Sequence, residues 1–384
     1  MKIVYCIIDC SQTGGMERSV CGKANYLADV LGYDVSVITS DQGNKPNFYS
    51  FSDKIHFIDL GIHYDELKQY PFWKRMREQV KKRRMHQSKL SEALQKIKAD
   101  IVISTYTHEF TLLPSIQDGS QKIAEIHFSK EYNKIANQSK KQSFLSKWFS
   151  ILAEKRKYKF IDQYSKFVIL TKNDQIHWKN HANIAQIYNM LPFSTGETAT
   201  LDEKRVISVG RLAQEKGYDL LLEAWAIVSP DFPDWRLDIF GAGEEHEALS
   251  MLIEEKKLIN SVRINSPSKD IQKEYLNSSI CVMASRFEGF GMALIEAMSC
   301  GVPCISFDCP GPSEIITNKE DGILVPGGNT LQLAEAMKKI LSDNNLRKEM
   351  GKKAKQSAKR YSQDNIMQDW NVLFKNTIHE KNSL

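Results

Sequence analysis

Long apolar runs are missing from this 384-residue chain. The longest, residues 3–8 and 280–284, fall far short of the ~20 residues a bilayer crossing needs, so no membrane-spanning helix is expected. The start lacks a secretory pattern, because Lys2 leads into a short strand-like run and then Ser11-Gln12-Thr13-Gly14-Gly15; a cytoplasmic protein is expected. Cysteine is scarce and odd in number, seven residues mostly inside apolar runs, which argues against a disulfide framework. Cys300, Cys304 and Cys309 match no common zinc spacing and have no evident fourth partner. No Asp-x-Asp pair, the short carboxylate device that holds a metal on a nucleotide diphosphate, occurs in the sequence. The dinucleotide fingerprint G-x-G-x-x-G is absent as well. Its nearest approach, Gly241-Ala242-Gly243-Glu244-Glu245-His246, ends in His and carries two carboxylates that repel a pyrophosphate. It fits a tight turn, which disfavours a nicotinamide dehydrogenase. Neither a fixed-period repeat nor a low-complexity tract is found.

What is present is an ordinary globular composition, 42% apolar and 26% charged, on a length that suggests two domains. The net charge of +5 conceals an imbalance. Residues 1–189 hold 29 Lys/Arg against 19 Asp/Glu, whereas residues 190–384 hold 23 against 28. The basic excess concentrates in residues 74–89, with eight Lys/Arg against Glu78 alone, and again in 130–159. Trp73, Met76 and Val80 lie at helical spacing among the first group, which predicts a basic amphipathic helix over 73–89. Such a helix suits an anionic membrane surface, and equally a solvated helix face. No stacking aromatics interleave the charges, so nucleic acid is not an expected partner.

Strand-like runs at 3–9, 34–39, 54–60, 100–105, 122–127, 166–171 and 185–188 alternate with helical stretches, the first being 16–31. An aperiodic stretch at 189–204 resembles a linker. The alternation then resumes, with strands expected at 205–209, 236–240, 262–264, 280–284, 302–307 and 322–325, and helices at 218–228, 244–257, 292–300 and 331–341. This pattern predicts an α/β protein of two Rossmann-like domains with mostly parallel sheets, 1–189 and 190–361. A terminal helix over 363–379 is expected to pack elsewhere, completing the first domain with 362–384. Ligands of such folds bind at strand C-terminal ends, so a cleft between the domains is the expected site.

Four loops qualify. Gly14-Gly15-Met16-Glu17 joins a strand to a helix, where close backbone approach and unpaired helix-start amides favour an anion, although a plain turn fits too. Arg211 and Lys216, in Gly210-Arg211-Leu212-Ala213-Gln214-Glu215-Lys216-Gly217, stand between a strand and a helix; they can neutralise a diphosphate without a metal, or be surface charge. The fullest constellation is Glu288-Gly289-Phe290-Gly291-Met292-Ala293 followed by Glu296. Its turn leaves amides at Gly291, Met292 and Ala293 for phosphate, and its carboxylates can accept hydrogen bonds from sugar or ribose hydroxyls. His127 ends a strand, where a lone histidine is more often structural. His177 and His181 are four apart on an expected helix, but Trp178 stands where a zinc protease needs Glu.

These residues resemble the retaining, nucleotide-sugar-dependent glycosyltransferases of family 4, which build capsule, lipopolysaccharide and glycolipid. Glu288 and Glu296 match that family's Glu-x7-Glu motif, Arg211 and Lys216 its Gly-Arg…Glu-Lys-Gly motif, and Gly14-Gly15-x-Glu17 its N-terminal loop. The likeness is strong over 205–326 and thin over 48–122, where an acceptor would be read. It implies the GT-B fold of two facing domains. Arg211 and Lys216 would grip the diphosphate, Glu296 the ribose hydroxyls, Glu288 with Gly289–Ala293 the donor sugar, and His127 would lie near that sugar. The loop Asp308-Cys309-Pro310-Gly311-Pro312-Ser313-Glu314-Ile315-Ile316 resembles one found in users of UDP-galactose, UDP-glucose or their N-acetyl forms, or is a Pro-started helix entrance. The implied reaction is metal-independent front-face transfer, with retention, from a UDP-sugar to a lipid-linked or saccharide acceptor at the cytoplasmic membrane face. A soluble sucrose or glucan synthase of the same fold and an idle membrane adaptor are the alternatives.

Overall fold

The computed structural model describes residues 1–129, 156–193 and 196–382. Most of the basic stretch 130–159 and the pair 194–195 of the expected linker lie outside them.

Two parallel sheets carry the fold. The first has the order β3-β2-β1-β4-β5-β6-β7, from β1 (Lys2–Ile7), β2 (Asp34–Thr39), β3 (His56–Asp59), β4 (Ile101–Ser104), β5 (Gln121–Glu125), β6 (Lys166–Ile169) and β7 (Ile184–Gln186). The second has the order β10-β9-β8-β11-β12-β13, from β8 (Arg205–Val209), β9 (Arg236–Phe240), β10 (Val262–Asn265), β11 (Ile280–Met283), β12 (Cys304–Phe307) and β13 (Gly322–Val325). Strands buried on both faces must be apolar almost throughout, which is why β1 and β11 are legible as unbroken runs. Each sheet reverses its winding once, between β1 and β4 and between β8 and β11. The loops leaving those strands therefore converge at a switch point, where open α/β sheets bind ligands.

The helix Gln363–Asn382 returns to the first lobe. Ile366, Met367, Trp370 and Phe374 recur at helical spacing and are buried with Ile3, Tyr5 and Val35. Full burial of such side chains contributes roughly 1.5–3 kcal/mol each, enough to hold the terminal helix there. The aperiodic segment between the sheets is less of a free linker than expected: Leu191, Ala199 and Leu201 are buried in the second lobe, and Ala199 N donates to Cys300 O at 2.8 Å.

The basic helix spans Phe72–Ile97 and extends further than 73–89. Its buried face consists of Lys82, His86, Leu90 and Leu94, while Phe72, Trp73, Met76 and Val80 are exposed. Three of its basic residues are tied to the lobe by hydrogen bonds, Lys82 alone of them buried. Lys82 donates to Ile62 O and pairs with Glu66, Lys89 donates to Leu60 O, and Arg83 bonds Thr111. In a parallel β-α-β unit the helix begins where the preceding strand ends, so its aromatic start lies at the cleft end of the sheet. No helix among the described residues is long and apolar enough to cross a membrane.

Candidate active site

The first-lobe wall of the cleft is made by the loops after β1 and β5. Gly14 caps the helix Gly15–Asp29 without a side chain, and an added Cβ there would sit 2.2 Å from Glu17 Oε2. The loop faces the other lobe, because a Cβ on Gly15 would lie 3.7 Å from Met292 Cγ. His127 stands two residues beyond β5, its Nε2 3.1 Å from Glu125 Oε1, with its side chain 8% exposed.

The second-lobe wall comes from the loops after β8 and β11, the two strands that meet at the switch point. Gly217 adopts φ +64°, and a Cβ on it would lie 2.0 Å from the Ala284 carbonyl oxygen, so glycine is required for the loops to touch. That contact brings Lys216 Nζ to 2.6 Å from Glu288 Oε2. Arg211 is directed elsewhere: it is largely exposed and pairs with Glu215. Its loop is braced by the Gly241-Ala242-Gly243 turn, where Leu212 N donates to Ala242 O at 2.9 Å and a Cβ on Gly243 would strike Leu212 O at 2.2 Å. The tight-turn reading of that double glycine accounts for both contacts.

Gly291, at φ +109°, caps the helix Met292–Ser299 and leaves its first amides without intrahelical acceptors. The turn is pressed against the first lobe: a Cβ on Gly289 would lie 3.1 Å from both Phe128 Cα and Ser129 N. Phe290 differs from expectation. Its ring is buried, 6.0 Å from Tyr188 and 5.6 Å from Tyr361 between centroids, so only its backbone is available to a ligand.

Glu296 is 2% exposed and already engaged. Oε1 accepts from Arg18 Nη1 of the first lobe at 2.9 Å, and Oε2 from Tyr275 Oη at 3.2 Å. Burial pushes its carboxyl above the ordinary range, which Arg18 and Tyr275 only partly offset. Sequence reasoning misses both Arg18 and Tyr275. Arg18 stands in the first turn of its helix, where the helix dipole disfavours a cation, and that position is the signal that an anion must face it.

Glu314, in the loop that the sequence marks after β12, has a contact the sequence does not show. It lies on the short helix Pro312–Ile315 and accepts from Lys172 N at 2.8 Å, Asn173 N at 3.0 Å and Tyr188 Oη at 2.7 Å, capping a first-lobe helix. That helix ends at Trp178, so His181 lies beyond it, bonded through Nδ1 to Asp162 at 2.7 Å, and shares no helix face with His177. Cys300 and Cys304 are buried thiols and Cys309 is half-buried; burial pushes Cys300 and Cys309 up to about 12.

Two walls with a cation–carboxylate pair, open helix-start amides and a facing histidine suit an anionic, hydroxyl-rich ligand, and known proteins bear on which. Residues 194–357 match the model of the family glycosyl transferases group 1. An uncharacterized glycosyltransferase of Haemophilus influenzae is 29% identical over 378 residues, covering 96% of this chain and 98% of the relative. An N-acetylgalactosamine-N,N'-diacetylbacillosaminyl-diphospho-undecaprenol 4-alpha-N-acetylgalactosaminyltransferase of Campylobacter jejuni is 32% identical over 174 residues, 45% of this chain and 47% of its own length. The crystal structure of a mutant of Staphylococcus aureus TarM in complex with Fondaparinux, alpha-GlcNAc-glycerol and UDP superposes with a TM-score of 0.76 at 17% identity, covering 97% of this chain and 99% of TarM. At that identity the likeness shows the fold alone. The two lobes thus have the GT-B fold, and residues 194–357 carry the sequence of the glycosyl transferases group 1 family.

Proposed function

We propose that this chain transfers a hexose or N-acetylhexosamine, with retention of configuration and without a metal, from a UDP-sugar to a lipid-linked or saccharide acceptor at the cytoplasmic membrane face. The observation that supports this reading is the approach of Gly289, in the loop of Glu288 and the Gly291–Ala293 amides, to Phe128 and Ser129, which directly follow His127, together with the Lys216–Glu288 pair. In this reading Lys216 and those amides, with Arg211 once it turns from Glu215, take up the charge that builds on the departing diphosphate. Such preorganised donors contribute most when they need no rearrangement during the reaction. Glu288, released from Lys216 by the diphosphate, is free to accept hydroxyls of the donor sugar. Glu296 accepts the ribose hydroxyls once Arg18 has been displaced. No carboxylate attacks the sugar in this scheme, and the leaving diphosphate itself assists front-face attack.

TarM was crystallised with UDP, and the C. jejuni relative is named for a diphospho-undecaprenol acceptor, which supports a UDP donor and a lipid-linked acceptor. The exposed Phe72, Trp73, Met76 and Val80, set among Arg75, Arg77, Lys81 and Arg84, support a peripheral membrane contact beside the cleft. Isothermal calorimetry with UDP and a panel of UDP-sugars tests the donor reading. Wild type is expected to bind UDP with Glu296→Ala weakened at least tenfold; identical titrations for the two proteins would refute the assignment.

A further inference from the structure

One buried charge cluster under the cleft is used by none of the donor contacts. Lys23 lies on the apolar face of the helix Gly15–Asp29, at helical spacing with Val20 and Leu27, and is 2% exposed. Its ammonium pairs with Glu125, also 2% exposed, at the end of β5. The same ammonium sits 4.6 Å from the ring centroid of Trp370 on the C-terminal helix. The other carboxylate oxygen of Glu125 faces His127 Nε2 at 3.1 Å. Burial alone would push the Glu125 carboxyl up, but the Lys23 ammonium foremost, with the charge His127 carries when protonated, more than offsets it and holds the carboxyl at about 2. The carboxylate is therefore an acceptor only. Glu17, in the first turn of the helix that carries Lys23, also interacts electrostatically with His127.

A permanently ionised acceptor beside one ring nitrogen selects the tautomer of a neutral histidine, because that nitrogen must carry the proton to bond it. Nδ1 of His127 is buried and has no hydrogen-bond partner among the described residues. The Nε2 contact has ion-pair distance without hydrogen-bond alignment, and contacts of this kind tighten when a ligand arrives.

We propose that Glu125 is a positioning residue for His127: paired with Lys23, it places the imidazole proton on Nε2 and leaves the buried, unpartnered Nδ1 as a hydrogen-bond acceptor. The ligand group this suits is a hydroxyl of the donor sugar, which donates to Nδ1; this part rests on the UDP-sugar reading. Lys23 keeps the buried carboxylate charged, and Trp370 covers the ammonium. The terminal helix thus acts on the site through three side chains while touching none of the ligand.

Nitrogen-15 NMR of ring-labelled histidines in the full chain reads the tautomer directly, with His127→Gln identifying the resonance. Wild type is expected to show Nε2–H with Nδ1 unprotonated. Glu125→Gln, whose amide can donate as well as accept, is expected to populate both tautomers and to lower kcat roughly 10–100-fold through ring misplacement, with a smaller change in donor KM. Glu125→Asp, which keeps the charge, is expected to restore the single tautomer. An Nδ1–H tautomer in wild type would overturn the proposal without any variant, and so would unchanged tautomer and kcat in Glu125→Gln. Failure of wild type to turn over any UDP-sugar would instead remove the donor reading, and the tautomer measurement would still decide the role of Glu125.

Discussion

Arg18 Nη1 lies 2.9 Å from Glu296 Oε1, so an arginine of the first lobe occupies the second-lobe carboxylate assigned to the nucleotide ribose. Arg18 is one-fifth exposed, while Glu296 is sealed beneath it. The pair ties the lobes together and, in the proposed reading, opens to admit the ribose. A double-mutant cycle with Arg18→Ala and Glu296→Ala is expected to give a coupling energy of about 1–3 kcal/mol in chemical denaturation, the range for contacting charged groups. Additive effects would mean that the two side chains do not meet in solution.

The Lys23–Glu125 pair should behave as a buried ion pair. Lys23→Met strands a carboxylate inside the first lobe and is expected to cost on the order of 3–5 kcal/mol, most of it recovered in Lys23→Met/Glu125→Gln, where no charge remains. Glu125 binds its proton more weakly in the folded chain, about 2 against an ordinary 4.5. Its contribution to stability is therefore full above about pH 4.5 and lost as pH falls towards 2. Denaturation measured across that window should show a shallower loss in the double variant than in wild type.

Gly217→Ala tests the contact between the loops after β8 and β11. Its methyl group would meet the Ala284 carbonyl oxygen, which belongs to the backbone and cannot turn aside. A loss of about 1–3 kcal/mol in stability is expected from the clash and the positive φ, together with weaker UDP binding as Lys216 leaves Glu288. Normal stability with normal UDP affinity would show that the loops tolerate separation.

Sedimentation with vesicles of anionic lipid tests the surface of the helix Phe72–Ile97. Wild type is expected to pellet with them and to be released by salt, because each basic residue near the surface contributes about 1 kcal/mol and is screened within a Debye length. Phe72→Ser/Trp73→Ser with Arg75→Glu/Arg77→Glu should stay in the supernatant while UDP binding is retained. Equal pelleting of the two proteins would assign the exposed rings another purpose.

The two sheets are legible in the sequence because parallel strands are apolar on both faces, and the loops after β8 and β11 are marked by Arg211, Lys216 and the Gly289–Gly291 turn. Partners are harder to see. Arg18 and Glu296 are 278 positions apart, so only the unfavourable placement of a cation in a helix's first turn hints at their contact. Lys23 sits in an apolar stripe that marks it as buried, but its partner depends on how the helix packs over β5. The helix Asn344–Ala358 escapes a reading by periodicity because its buried face is mostly small residues among lysines; the Asp343 cap, accepting from Leu346 N at 2.9 Å, is its local signature. Phe290 lies within a donor-loop motif, yet the aromatic cluster that captures it comes from Tyr188 and Tyr361, which no local pattern connects.

The central claim is that protein cations and helix-start amides, with no metal, take up the charge of the departing nucleotide. Its most direct test is UDP release from the preferred UDP-sugar by wild type, Lys216→Met and Arg211→Met, each with and without a chelator. The account predicts losses of about 10²–10³ in turnover for either variant and no effect of the chelator. Undiminished turnover in both variants, or activity abolished by chelation and restored by a divalent ion, would contradict it.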